Sequence, residues 1–132
     1  MSDQKFVVVG TAAETTITVT RESSSDARPQ GLVFEADHDI TVADISASRI
    51  VLWADSAPER AELTTSDAGD LRIWHVWRDG DLTQAWEGDA RMVVDDVHDD
   101  LGLQCHDNHA GSAPDLVVRI DFDRAWTQPA DR

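Results

Sequence analysis

Leu116-Val117-Val118-Arg119-Ile120-Asp121-Phe122-Asp123 places Leu116, Val118, Ile120 and Phe122 on one parity and Val117, Arg119, Asp121 and Asp123 on the other. Successive side chains of a strand point to opposite faces, so a period of two is the pattern of a half-buried strand. The same reading holds for Leu71-Arg72-Ile73-Trp74-His75-Val76-Trp77-Arg78. A helix there would gather Leu71, Trp74, His75 and Arg78 on one face, a worse stripe. Ile17 and Val19 alternate with Thr16, Thr18 and Thr20, and β-branched residues suit a pleated surface. Further strands are expected at Phe6–Val9, Gly31–Ala36, Ile40–Ile45, Arg49–Trp53, Thr83–Glu87, Arg91–Val94 and Leu101–Cys105.

Turn residues fall between these runs. Asp79-Gly80 suits a two-residue hairpin turn, because both residues tolerate positive φ. Ala68-Gly69-Asp70 and Glu87-Gly88-Asp89 mark reversals, and Arg28-Pro29-Gln30-Gly31 and Ser56-Ala57-Pro58 break the chain. Ser23-Ser24-Ser25-Asp26 and Asn108 to Pro114 read as polar loops, and Pro58–Leu63 is the one place for a helical turn. The expected fold is all-β, a single domain over residues 1–126 with a frayed tail at 127–132. Its architecture is an antiparallel sandwich or barrel of about eight to ten short strands. At an offset of 52, Phe34-Glu35-Ala36-Asp37 aligns with Trp86-Glu87-Gly88-Asp89, and Ile40, Val42, Asp44 and Ile45 with Met92, Val94, Asp96 and Val97. That alignment suggests an internal pseudo-repeat.

The 132 residues carry 26 acids against 11 bases, a net charge of −15. Such a surface repels phosphate backbones and anionic membranes, so neither nucleic acid nor membrane is an expected partner. No run reaches the ~20 apolar residues of a membrane helix. Met1-Ser2-Asp3-Gln4 opens no secretory signal, and the one cysteine, Cys105, forms no internal disulfide; a cytoplasmic setting is expected. The acids are spread along the chain, which fits solubility, salt adaptation or a face that docks on a basic protein.

Catalysis has little support. Cys105 and His106 face apart on a strand, and neither a G-x-S-x-G elbow nor a Gly-rich phosphate loop occurs. The chain is therefore read as a non-enzymatic binding module that docks on or masks a basic protein partner, as an immunity or inhibitor protein would. Trp74 and Trp77 have opposite parity, so both cannot enter one core, and one is expected at a surface. With Asp79, Asp81, Trp86 and Asp89 they form the expected partner- or ligand-binding patch. Trp53 and Trp126 are assigned to the core. The alternative is a small-molecule or divalent-cation site. His98, Asp99, Asp100, His106, Asp107 and His109 mix imidazole and carboxylate within twelve residues, donors that suit zinc or calcium. No metal motif with fixed spacing accompanies them, so no cofactor is required by the sequence.

Overall fold

The computed structural model describes residues 2–4, 6–24, 28–80, 82–85, 91–97, 100–106, 114–124 and 126–127. For Ser2–Gln4, Asp79, Gln84, Asp96, Val97 and Thr127 the backbone alone is described. The strands are β1 (Ser2–Gln4), β2 (Phe6–Thr11), β3 (Thr15–Ser24), β4 (Gln30–Val42), β5 (Ile45–Trp53) and β6 (Arg60–Thr65). They continue with β7 (Gly69–Asp79), β8 (Leu82–Gln84), β9 (Arg91–Val97), β10 (Asp100–His106), β11 (Leu116–Phe122) and β12 (Trp126–Thr127). All pairings are antiparallel, and the sheet nearly closes into a barrel.

The hydrogen-bonded path runs β1-β9-β10-β11-β3-β6-β4-β7-β2-β12, with β5 added to β4 and β8 to β7. Two features bring its ends together. β1 lies on β9 and β2 on β7, although Gln4 and Phe6 are two positions apart in the chain. β4 is thirteen residues long and changes partner: Gln30–Ala36 pair with β7, whereas Ile40 and Thr41 pair with β6. The switch occurs at the register shift between Glu35 and Ile40, where a bulge bends the strand and lets it serve two parts of the sheet.

The interior is filled by the parities read from the sequence. Leu116, Val118, Ile120 and Phe122 meet Ile17 and Val19 of β3, Leu101 and Leu103 of β10, and Leu71 and Ile73 of β7 in one cluster. Met92 and Val94 join the cluster, as does Cys105, whose thiol burial pushes well above its ordinary value. A small opening of about 20 Å³ between Val19, Leu32, Leu52 and Val118 has room for a single water and not for an organic ligand.

Several expectations change. Pro58–Leu63 holds no helical turn: Arg60–Thr65 is β6, alternating Ala61, Leu63 and Thr65 inward. Ile40–Ile45 is no single strand, since Val42 pairs with Ile45 across a tight turn at Ala43-Asp44. Ala43 takes φ 52 there, a left-handed conformation that a sequence reader assigns to Gly or Asn first. The Asp79-Gly80 turn sits one residue later, because Asp79 itself pairs with Leu82 and Gly80, at φ 64, leads the turn. Ser23 and Ser24 extend β3, and Thr127 pairs with Gly10, so paired structure enters the stretch expected to fray. The offset of 52 lays the Ala43-Asp44 turn onto Asp95-Asp96, which lie within β9, so the two segments do not share a turn.

Candidate functional site

β5, β4, β7 and β2 lie side by side, and their registers build the outer face of this part of the barrel row by row. Phe6 stands opposite Trp74, Trp74 opposite Val33, and Val33 opposite Val51. This apolar row crosses four strands on the outside, with Phe6 42% and Val51 37% exposed. The next row is Val8, Arg72, Glu35 and Arg49. Arg49 donates to Glu35 Oε2 from Nε at 2.9 Å and from Nη2 at 2.6 Å. Arg72 donates from Nε to Glu35 Oε1 at 3.1 Å and from Nη2 to Asp37 at 3.2 Å. The Arg49 hydrogen bonds hold the Glu35 carboxyl below its ordinary range; burial opposes them, and Arg72 adds to them.

Aromatic rings complete this face. The Arg49 guanidinium lies 5.5 Å from the Trp74 ring centre. Arg78 stacks at 4.1 Å over Trp53, within cation–π range. Trp53 can lie across β4 because Gly31 is beneath it: a Cβ at Gly31 would come within 2.9 Å of the indole Cε3. Val33, Trp74 and Val76 form a small outer cluster with Trp53 and Ala85 against it.

β5 forms the margin of this face. The bond from Ala54 N to Gln30 O, 2.7 Å, sets the phase of the β4–β5 ladder. Residues 50 and 52 then bond toward β4, while the N–H and C=O of Arg49 and Val51 point away. Trp53 O closes the strand by accepting from Ser56 N and Ala57 N. Among the described residues nothing pairs with this outer edge.

The expected patch is divided between two faces. Parity separates Trp74 from Trp77 as anticipated, yet both are covered: Trp74 is 9% and Trp77 1% exposed. Trp74 belongs to the outer cluster, whereas Trp77 packs beside His75 with Arg28 over its ring. His75 shares a buried 2.6 Å hydrogen bond with Gln30. Asp79 ends β7, while Asp81, Trp86 and Asp89 lie outside the described residues. Trp53, assigned to the core, is instead half-buried on the outside. Phe6, Glu35, Arg49 and Val51 are absent from the expected patch, because only cross-strand register makes neighbours of residues so far apart in sequence.

The expected metal cluster is described at two of its six members. Asp100 begins β10 and His106 ends it, six residues or about 20 Å apart at the rise of an extended strand. They do not share one ion. His106 is buried. Val97, preceding His98, pairs with Asp100 and not with His106. His98, Asp99, Asp107 and His109 lie outside the described residues. Among those described, no group of three or more His, Cys, Asp or Glu is placed to hold a metal ion. Asp100 does face Asp121 across the β10–β11 ladder. A hydrogen bond that protonated Asp121 donates to Asp100, then burial and like charge, raises the Asp121 carboxyl. Beside them, Glu22, Asp95, Gly102 and Arg119 line an open groove of about 290 Å³.

No protein family, curated protein or solved structure matches the chain. What the fold and surface define is a nearly closed, strongly acidic antiparallel barrel with a filled interior and an apolar row on its outer wall. No helix in the described residues is long and apolar enough to cross a membrane.

Proposed function

We propose that this chain is a non-enzymatic binding module that docks on a basic protein and masks part of its surface. The observation that carries the reading is the row Phe6–Trp74–Val33–Val51, apolar and partly open to solvent on a barrel whose interior is already occupied. A filled barrel offers its function outside, and the open ends of the row, Phe6 and Val51, flank covered Trp74 and Val33 beside the Arg49–Glu35–Arg72 row, an apolar and charged mixture of the kind docking patches use. The net charge of −15 supplies the long-range attraction. Acidic steering accelerates encounter with a basic partner and disfavours nucleic acids, membranes and acidic proteins. An immunity or inhibitor protein works in this way, by covering a basic surface on the protein it neutralises.

The test is affinity capture with the wild-type chain and Phe6→Ser, at about 50 mM and about 500 mM salt, where screening lengths differ severalfold. The wild-type chain is expected to retain basic proteins at the lower salt, to release them at the higher, and to lose most of that retention in Phe6→Ser. Phe6 is 42% exposed, so the variant keeps its core. Retention of no basic protein, or retention indifferent to salt and to Phe6, overturns the proposal.

A further inference from the structure

We infer that the outer edge of β5, unpaired among the described residues, accepts an extended, basic segment of the partner as an added strand. The inference deepens the docking reading and rests on it. Arg49 and Val51 each present an N–H and a C=O away from β4, four backbone groups in the spacing that a new strand would pair.

Natural sheets guard such edges by keeping them short, or with lysine, proline or bulges. β1 and β8 have three residues each and β12 two, and they follow the rule. β5 does not. It runs nine residues, Ile45-Ser46-Ala47-Ser48-Arg49-Ile50-Val51-Leu52-Trp53, without proline, glycine or lysine. Its single charge, Arg49, is already occupied by Glu35. Ile45 at 64% and Val51 at 37% exposed are two of the four large apolar side chains left open among the described residues. The ladder of β5 with β4 shifts register at Ser48, so the regular part of the edge is Arg49–Trp53, which holds no lysine, proline or bulge and leaves Val51 open to an added strand.

Charge selects the occupant. A second copy would bring another −15 to the interface. A cationic segment meets Asp44 and Asp55 instead, both exposed, one beyond each end of β5. The added strand would extend the Phe6–Trp74–Val33–Val51 row by one position, so an apolar residue belongs opposite Val51 and basic residues toward the two aspartates.

A synthetic peptide alternating valine and lysine is the probe, titrated into the full chain at physiological salt. Amide exchange at Arg49 and Val51 is expected to slow on binding, since these amides gain acceptors. Val51→Pro removes an N–H that has no partner among the described residues, a position where a sheet tolerates proline. It is expected to leave the melt near wild type and to weaken the peptide by about tenfold or more, the worth of one or two hydrogen bonds. Should Val51→Pro fail to fold, the same peptide N-methylated at alternate amides tests the unaltered protein. One methylated set is expected to abolish binding and the other to preserve it. Peptide binding that ignores Val51→Pro and both N-methylated sets overturns the inference. So does failure of the peptide to bind while basic proteins are still captured, which leaves the docking reading standing. Failure of both removes the docking reading as well. Sedimentation as a dimer that Val51→Pro separates overturns the inference in favour of a second copy.

Discussion

Gly31 carries a role that its place in β4 conceals. As a strand residue it contributes little, because glycine lacks a side chain to pack and loses more conformational entropy on folding than any other residue. Its use is to let the Trp53 indole rest on the backbone, where Arg78 covers the other side at 4.1 Å. The added methyl of Gly31→Ala meets ring and backbone atoms at 2.9 to 3.2 Å and forces Trp53 outward. Overpacking of this kind costs about 1–3 kcal/mol. The variant is expected to melt earlier and to shift tryptophan emission to longer wavelength; an unchanged spectrum would show that Trp53 does not depend on Gly31. From the sequence Gly31 reads as part of a chain break with Pro29, since a glycine shows no sign of what lies over it.

At the scale of elements, β4, β5 and β7 are tied across their outer face by Glu35, which accepts from Arg49 of β5 and Arg72 of β7. Folding lowers the Glu35 pKa from its ordinary 4.5. A depressed carboxyl contributes stability that is present above the unfolded value and is lost as pH falls through the folded one. Glu35→Gln is therefore expected to melt below wild type at neutral pH, with the gap narrowing as pH falls below 4.5 and closing once it has passed the lowered folded value. A gap constant across that range would assign the loss to packing rather than charge. The alternation of Leu71–Trp77 and Leu116–Phe122 was legible because one buried face writes itself into a period of two. β6 was less so, as Pro58 followed by Glu59, Arg60 and Glu62 resembles the start of a helix until β3 and β4 supply its partners. Ala43 hid the β4–β5 turn, so one strand was read where a hairpin stands.

Over the whole molecule, 26 acids against 11 bases oppose compaction. Monovalent salt screens that repulsion, and raising sodium chloride from low concentration to about 1 M is expected to lift the melting temperature by roughly 3–5 °C, near 1 kcal/mol for a domain of this size. A flat or falling response would mean that local pairs such as Arg49–Glu35 outweigh the global charge. Calcium or zinc at matched ionic strength would add a further rise only through specific binding to the folded chain. Such a rise would redirect attention to the acids and histidines between Asp95 and His109.

Strand class, the apolar parity and the acidic character are properties of local sequence, because periodicity and composition act without knowledge of neighbours. The exclusion of a sustained apolar helix belongs there too. Tertiary structure alone decided that β4 bends to pair with both β6 and β7, that Trp74 and Trp77 are covered on opposite faces, and that Asp100 and His106 stand at opposite ends of one strand. It also brought Phe6, Val33, Val51 and Trp74 into one row and left the edge of β5 unpaired among the described residues. These are consequences of strand order and register. A shift of one residue in any ladder would send each of these side chains to the other face, and no stretch of sequence read by itself contains that information.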